Sequence, residues 1–234
     1  MSAVVFKDIV KRYGKVTALG GVSFEIEKGA CVGLIGVNGA GKSTIIKIIT
    51  GIVLADSGRA DVLGFDPKLR KPGMLAKIGL INESPSLYPF LTGTGHLRLI
   101  QNVKPGISDR EVDGILGLVG LAERKNDRVS GYSFGMRQRL GMAQALIGEP
   151  EILILDEPTN GLDPVGIRDL RTIVSDFRER SGATVIVSSH NLHEVGLMCD
   201  RYLFINKGKI VDDVRKEELG SDLEREFFKR VKEA

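Results

Sequence analysis

The sequence contains no tryptophan and only two cysteines among its 234 residues. Cys31 and Cys199 are far apart in the sequence and form no Cys-x-x-Cys motif. We therefore expect both to be small core residues in a reducing cytosol, rather than disulfide partners or metal ligands.

Long apolar runs are also missing, because no segment approaches the ~18 residues that a membrane-spanning helix requires. Residues Met1–Lys7 lack a basic region followed by an apolar segment, so no signal peptide is expected. The net charge of +3 is too small to predict a nucleic-acid partner. An apolar fraction of 42% and a charged fraction of 27% indicate a soluble globular protein. Its 234 residues are enough for one large domain or for a domain with a subdomain.

A glycine-rich segment lies between two apolar runs, Cys31–Ile35 and Ile45–Ile49. It matches the full spacing of a phosphate-binding P-loop over residues 36–43, and the order of strand, turn and helix start is the one this loop needs. Its glycines let successive N–H groups point at phosphate oxygens, and the helix start adds the positive end of its dipole. The predicted phosphate-binding residues are Gly36, Val37, Asn38, Gly39, Ala40, Gly41, Lys42, Ser43 and Thr44.

Two side chains of this loop have predicted roles of their own. Lys42 would reach the β- and γ-phosphates of a nucleotide, and the Ser43 hydroxyl would bind Mg²⁺. Tyr13 lies in a loop upstream of the P-loop, and two alternatives stay open for it. Its ring would either stack on the nucleotide base or pack against the protein.

An acidic pair follows the apolar run Ile152–Leu155, which is typical of a central parallel strand. Asp156 would hold Mg²⁺, and Glu157 would orient or deprotonate the attacking water. His190 follows the next apolar strand, Thr184–Val187, so it should lie at the same edge of the sheet and contact a terminal phosphate.

The other histidines carry no comparable signal. His190 and His193 are three residues apart, but the sequence around them matches neither H-E-x-x-H nor H-x-x-E-H, so no zinc site is expected. For His193 and His96 the sequence indicates only a surface or packing role.

Taken in order, these motifs resemble the ATP-binding subunit of an ABC transporter over nearly the whole chain. A lone P-loop is common to many NTPases, whereas a serine–glycine motif at a helix start about twenty residues before the acidic pair is found in far fewer proteins. The residues that carry the resemblance are Tyr13, the P-loop at 36–43, Glu83, Ser133–Gln138, Asp156, Glu157, Asn160–Asp163 and His190.

The resemblance implies ATP and Mg²⁺ as cofactors and a head-to-tail pair of ATP-binding domains. Each ATP would lie between the P-loop of one domain and the signature motif of the other. In this chain the signature residues are Ser133, Phe134, Gly135 and Met136, and Asp163 belongs to the D-loop. Phe134 and Met136 depart from the common Leu-Ser-Gly-Gly-Gln, which leaves the strength of the second half-site open.

Glu83 is a second departure, because the family usually has glutamine at this place, near Mg²⁺ and the membrane partner. It joins Ser43 and Asp156 as a candidate metal ligand. The surrounding Ile81-Asn82-Glu83-Ser84-Pro85 resembles subunits of the bacitracin- and lantibiotic-resistance type, which favours an exporter.

The predicted fold class is α/β, a P-loop NTPase core with an antiparallel β subdomain and a helical insertion. We expect one ABC ATPase domain over residues 1–234, with a core at about 1–83 and 151–215. The helical subdomain would cover about 84–150, and a C-terminal helical tail about 216–234.

The predicted function is ATP hydrolysis that powers a separate polytopic membrane subunit, together with a second ATP-binding subunit of the same or a different kind. Residues 84–105 are the expected docking surface, and the expected location is cytoplasmic, peripheral on the inner face of the cell membrane. The main alternative is a soluble ABC-type ATPase that is not coupled to transport. A kinase would share the P-loop but would not need Ser133, Gly135, Asp163 and His190, and Glu157 argues against a non-catalytic regulator.

Overall fold

A computed structural model describes residues 1–83, 85–104, 106–219 and 223–233 of the chain. The strands are β1 (Ser2–Tyr13), β2 (Val16–Glu27), β3 (Cys31–Ile35), β4 (Ser57–Val62), β5 (Ile78–Ile81), β6 (Ile152–Asp156), β7 (Thr184–Ser189), β8 (Arg201–Asn206) and β9 (Lys209–Arg215). The helices are α1 (Lys42–Ile49), α2 (Pro72–Leu75), α3 (Gly93–Val103), α4 (Asp109–Leu118), α5 (Phe134–Leu146), α6 (Pro164–Ser181), α7 (Leu192–Met198) and α8 (Leu223–Glu233). Short 3₁₀ turns cover Pro67–Leu69, Ala122–Arg124, Val129–Gly131 and Lys216–Glu218.

The larger sheet has six strands in the order β5-β6-β7-β3-β8-β9. Its first five strands pair in parallel, and β9 runs antiparallel to β8. Strands β3 and β7 are buried along their whole length, as their unbroken apolar runs predict for strands covered on both faces. Because the strands are parallel, the carboxyl ends of β3, β6 and β7 meet at one edge of the sheet.

The smaller sheet is antiparallel, with strand order β2-β1-β4. It supplies the antiparallel part of the predicted fold, and the α/β class predicted from the sequence is confirmed. Its inner face packs with α1 against one face of the larger sheet, where the Phe6 and Phe24 ring centroids are 4.7 Å apart and the rings are tilted by 31°. Helices α4 to α7 contribute to the core on the opposite face.

Three helices begin at a side chain that caps them. The side chains of Ser108, Ser133 and Asp163 accept hydrogen bonds from the backbone N–H groups of the first turns of α4, α5 and α6. Ser108-Asp109-Arg110-Glu111 has the sequence of a capping box, but only its serine half forms. Glu111 does not close it, because its carboxylate accepts the Gly148 N–H at 3.0 Å and so ties α4 to the end of α5.

The predicted C-terminal helix corresponds to a 3₁₀ turn at Lys216–Glu218 and to α8, while positions 220–222 lie outside the described residues. Phe227 is buried, and its ring centroid lies 5.7 Å from that of Phe204 on β8. Phe228 is half exposed and contacts Phe227 instead of the sheet. In the described part of the chain, no helix is long and apolar enough to cross a membrane.

Gly79 on β5 lets α5 approach the larger sheet closely, and a substitution at this position tests that packing. A β-carbon on Gly79 would lie 2.1 Å from the Ala145 carbonyl oxygen, a backbone atom that cannot rotate away. We expect Gly79→Ala to lower the free energy of unfolding by about 1–3 kcal/mol through overpacking.

The matched control is Gly114→Ala in α4, where the new methyl group would enter open space. This change should leave stability equal or raise it by about 0.4–1 kcal/mol, because it restricts the unfolded chain. Urea unfolding of both variants and the wild type measures the difference. Equal midpoints for Gly79→Ala and the wild type would contradict the tight packing of α5 on β5.

Candidate functional site

The P-loop joins the end of β3 to the start of α1 at the carboxyl edge of the larger sheet. Gly39 and Gly41 have φ angles of 79° and 118°, in the left-handed region that glycine adopts at little cost. A β-carbon on Gly36 would lie 2.5 Å from the Ile205 carbonyl oxygen on β8. The glycine spacing is therefore dictated both by the turn and by the neighbouring strand.

Lys42, the charged residue of the loop, is buried, with 6% of the residue exposed. Its ammonium donates hydrogen bonds to the carbonyl oxygens of Gly36 at 2.7 Å and of Val37 at 3.4 Å. The same ammonium lies 3.5 Å from a carboxylate oxygen of Glu157, beyond the end of β6. This ion pair joins the two motifs that the sequence places more than a hundred residues apart.

The other predicted loop residues divide by exposure. Val37, Asn38, Gly39 and Ser43 are exposed, Gly41 and Thr44 are half-buried, and Ala40 is buried. The Ala40 carbonyl accepts the Gly208 N–H at 2.8 Å, so the β8–β9 turn supports the loop from below. The first turn of α1 presents N–H groups that no earlier helical residue can bind, which is the usual anion-binding feature of a helix start.

Glu157 is held from three sides. Its Oε1 lies near Lys42, and its Oε2 lies 2.8 Å from His190 Nδ1 and accepts the Ser189 hydroxyl at 3.3 Å. Its own N–H donates to the Ser188 carbonyl at 3.0 Å, and its φ angle of 51° is unusual for a residue other than glycine. The structure thus brings together Lys42, Glu157 and His190, the three predicted catalytic residues.

Asp156 ends β6 beside Glu157, and the Ser188 hydroxyl donates to its Oδ1. Ser188 and Ser189, two buried polar residues at the end of β7, were not predicted as site residues. The sequence does contain a signal for them, because two serines at the end of a buried apolar strand need hydrogen-bond partners. Here both hydroxyls position the acidic pair.

Ser43, Asp156 and Glu83 are the residues expected to bind a metal. In residues 1–83, 85–104, 106–219 and 223–233, no group of three or more His, Cys, Asp or Glu side chains is arranged to hold a metal ion. Ser43 and Asp156 are neighbours of Lys42 and Glu157, whose ion pair draws the two motifs together. One hydroxyl and one carboxylate fit Mg²⁺, which usually takes few protein ligands and completes its shell with water and phosphate.

Glu83 follows β5 and is connected elsewhere in the structure. Its Oε1 accepts the Asn160 amide at 2.8 Å, and its backbone carbonyl accepts the Gln138 amide at 2.8 Å. Gln138 is buried on α5, and the Asn160 N–H donates to the Glu157 carbonyl at 3.3 Å. Glu83 therefore links the helix of the signature motif to the loop of Glu157, a link that the sequence analysis did not identify.

The predicted signature residues lie at the start of α5. Ser133 caps this helix by accepting the Met136 N–H at 3.2 Å, and it is exposed. Gly135 has open space around its α-carbon, and Met136 is half-buried against the core. The Phe134 ring covers Gly161, where a β-carbon would lie 2.9 Å from the ring, so the departure at 134 has a packing partner.

The predicted D-loop residue Asp163 caps α6 by accepting the Gly166 N–H at 2.7 Å. A cavity of about 480 Å³ separates the start of α5 from the start of α6. Its lining includes Ser133, Phe134, Gly161 and Asp163, so the signature motif and the D-loop line the same cavity.

Tyr13 ends β1, and its ring is 46% exposed, which disfavours the alternative of a core packing role. Lys11 Nζ lies 5.5 Å from the ring centroid. The hairpin that carries Tyr13 adjoins the P-loop, since a β-carbon on Gly41 would lie 2.9 Å from Leu19 Cδ2 on β2. A role in base stacking remains a prediction.

His96 and His193 differ in burial. His96 is 1% exposed, accepts the Tyr88 N–H at 2.6 Å through Nε2, and lies 3.0 Å from the Gln144 amide through Nδ1. Burial lowers the pKa of His96, so its ring is a neutral connector between α3, α5 and the preceding loop. His193 is exposed.

Comparison with known proteins adds independent findings. A profile of the ABC transporter family matches residues 19–160. The lantibiotic transport ATP-binding protein SrtF of Streptococcus pyogenes is 43% identical over 95% of this chain and 94% of its own length. The bacitracin transport ATP-binding protein BcrA of Enterococcus faecalis is 37% identical over 91% of this chain and 69% of its own length. A solved ATP-binding subunit of an ABC transporter is 28% identical, with a TM-score of 0.88 over 99% of this chain and 100% of that one.

The burial of Lys42 in the P-loop generates a binding prediction. Lys42→Ala should weaken ATP binding by about 10- to 150-fold, because a charge-assisted hydrogen bond is worth about 1.5–3 kcal/mol. The matched control is Lys47→Ala on the exposed side of α1, which should bind ATP as the wild type does. Isothermal titration calorimetry measures both. Equal affinities for Lys42→Ala and the wild type would remove the lysine from the phosphate site.

Proposed function

The chain belongs to the ABC transporter family of ATP-binding and ATP-hydrolysing subunits, and we propose that it drives an exporter whose membrane-spanning part is a separate polypeptide. The observation that carries the catalytic part is the position of Glu157 between Lys42 and His190. The bacitracin and lantibiotic names of its relatives support the export of an antimicrobial compound.

ATP would bind with its phosphates in the P-loop over residues 36–44. The Lys42 ammonium, now held by the Gly36 and Val37 carbonyl oxygens, would donate to the β- and γ-phosphate oxygens. Tyr13, exposed on the adjoining hairpin, would stack on the base. The loop is preorganised for this exchange because its backbone already has the required turn.

Mg²⁺ would be held by the Ser43 hydroxyl and by Asp156, directly or through water. When bound, the ion would neutralise charge on the β- and γ-phosphates. Asp156 is oriented for this by the Ser188 hydroxyl, which occupies one of its oxygens. Glu83 is the third proposed ligand, and its bond to Asn160 would have to be exchanged for one to the metal or to a metal-bound water.

Glu157 would act as the general base on the attacking water. A carboxylate with 13% of its side chain exposed, beside a buried ammonium, is a fixed acceptor with little solvent around it. His190, with half of its side chain exposed, would hold the Glu157 carboxylate on one side and meet the terminal phosphate on the other.

A second ATP-binding subunit would complete the site. Ser133 and Gly135 are accessible at the N-terminal end of α5, where a hydroxyl, free N–H groups and the helix dipole would meet the γ-phosphate bound by the partner. Asp163 would stand at the same contact through its neighbouring loop. The Phe134 ring on Gly161 supports this arrangement, because it fixes the signature loop against the D-loop within one subunit.

The membrane subunit would dock on the exposed aromatic and aliphatic side chains around α3. Tyr88, Phe90, Leu99 and Val103 are 52%, 67%, 42% and 78% exposed, respectively. The Tyr88 ring lies 5.7 Å from the Phe90 ring and 5.5 Å from that of the buried His96, one turn before Leu99 on α3. The expected range of 84–105 also includes positions 84 and 105, which lie outside the described residues. This docking would place the chain at the cytoplasmic face of the cell membrane.

The dimer and the base can be tested together with Glu157→Gln. The variant keeps the shape of the site but cannot accept a proton, so hydrolysis should fall by roughly 10²-fold or more while ATP binding persists. Closed dimers should then accumulate with ATP and not with ADP, as measured by light scattering after size exclusion. Glu123→Gln, an exposed change far from the site, is the control.

Two results would count against separate parts of this proposal. Normal hydrolysis by Glu157→Gln would remove the general-base role. A variant that binds ATP yet stays monomeric at high concentration would rule out a shared site between identical chains.

The docking surface can be tested with stripped membrane vesicles from cells of the source organism. Phe90→Ser should lower binding of the chain to these vesicles by about tenfold or more, because burying such a side chain contributes about 1.5–3 kcal/mol. Leu69→Ser changes a side chain of similar exposure outside the surface and should bind as the wild type does. Equal binding of both variants, or equal binding to protein-free lipid vesicles, would contradict a membrane-protein partner and favour an ATPase that is not coupled to transport.

A further inference from the structure

The two cysteines, which the sequence separates widely, are neighbours in the fold. Cys31 is the first residue of β3, and Cys199 follows the last residue of α7. Their sulfur atoms are 3.7 Å apart, and both residues are free thiols with at most 1% exposure. They are core residues, as predicted, but they also form a pair.

The backbone around this pair is close enough for a covalent link. The Asp200 N–H donates to the Cys31 carbonyl at 2.9 Å, so the residue next to Cys199 is hydrogen-bonded directly to Cys31. This hydrogen bond holds the two backbone segments side by side, as a disulfide requires. The sulfur atoms then have to approach from 3.7 Å to the ~2.0 Å of an S–S bond.

A cavity open to the surface reaches Cys31, one of the two cysteines. This cavity of about 540 Å³ is lined by Cys31, Arg171, Arg178 and Leu197, and it reaches the surface because Leu197 is 52% exposed. Its volume far exceeds the ~30 Å³ that a water molecule occupies in the liquid. Cys199 is not part of the lining, and burial raises the pKa of its thiol.

We propose that Cys31 and Cys199 are an oxidation site, at which a peroxide converts the thiol pair into a reversible intramolecular disulfide. The Cys31 thiol gives up its proton as its sulfur attacks one peroxide oxygen, and the O–O bond breaks. The leaving hydroxide takes that proton, which gives a sulfenic acid and one water. The Cys199 sulfur then attacks Cys31 Sγ and displaces the hydroxyl as a second water. Two thiols are oxidised and one hydrogen peroxide is reduced to two waters.

The disulfide would join two elements that already pack tightly. A β-carbon on Gly33 would lie 2.4 Å from Val195 Cγ1, so α7 rests directly on β3. β3 leads into the P-loop, and α7 follows His190. The link would therefore fasten two parts of the ATP site to each other at their far ends, with little change in backbone position.

The test treats the full chain with hydrogen peroxide and maps its peptides by mass spectrometry. We expect a linked Cys31–Cys199 peptide pair, which a thiol reductant separates again. The oxidised protein should melt about 4–16 °C above the reduced one, from the usual stabilisation by a disulfide in a domain of this size.

Two variants separate the roles of the thiols. Cys199→Ser should stop at the sulfenic acid, which dimedone traps on Cys31, whereas Cys31→Ser should react far more slowly. The wild-type map alone decides the proposal if either variant fails to fold. Intermolecular links only, no link at all, or equal reaction of the two variants would overturn it.

Discussion

The site depends on the contacts of the buried Lys42 ammonium. It lies among two backbone carbonyl oxygens and the Glu157 carboxylate, and a charge in such a place is costly unless each partner is fixed. The parallel register of β3, β7 and β6 fixes them, because it sets the ends of these strands side by side. Sheet, loop and acidic pair are therefore one electrostatic unit, and ATP would enter it by taking over the carbonyl contacts of the lysine.

A second unit connects this site with the surface that a partner would use. Two amide side chains hold Glu83, one from the signature helix and one from the loop after Glu157. Each amide donates through its NH₂ group, one to the backbone carbonyl and one to the side-chain carboxyl of Glu83. A glutamine at 83 would preserve the bond count and remove the charge of that carboxyl, which separates the contribution of charge from that of shape.

Local pattern was enough to predict most of the fold. The apolar runs at β3, β6 and β7 and the P-loop glycines depend on residues near them in the sequence, and the structure has each of them. The missed features are long-range. The contacts of Glu83 with Asn160, of Phe134 with Gly161 and of Cys31 with Cys199 join segments whose proximity only the packed core determines. Glu111 shows the same limit, since a distant N–H replaced the local partner of its carboxylate.

The left-handed backbone of Glu157 has a consequence for evolution. This conformation costs a residue other than glycine about 1–2 kcal/mol. The hydrogen bond from the Glu157 N–H to the Ser188 carbonyl holds the backbone in it. Glycine at 157 would relieve that strain and lose the carboxylate. A population selected only for a folded, abundant protein would thus drift away from glutamate at this position. Retention of an acidic residue at position 157, despite its strained backbone, would therefore indicate selection for ATP hydrolysis.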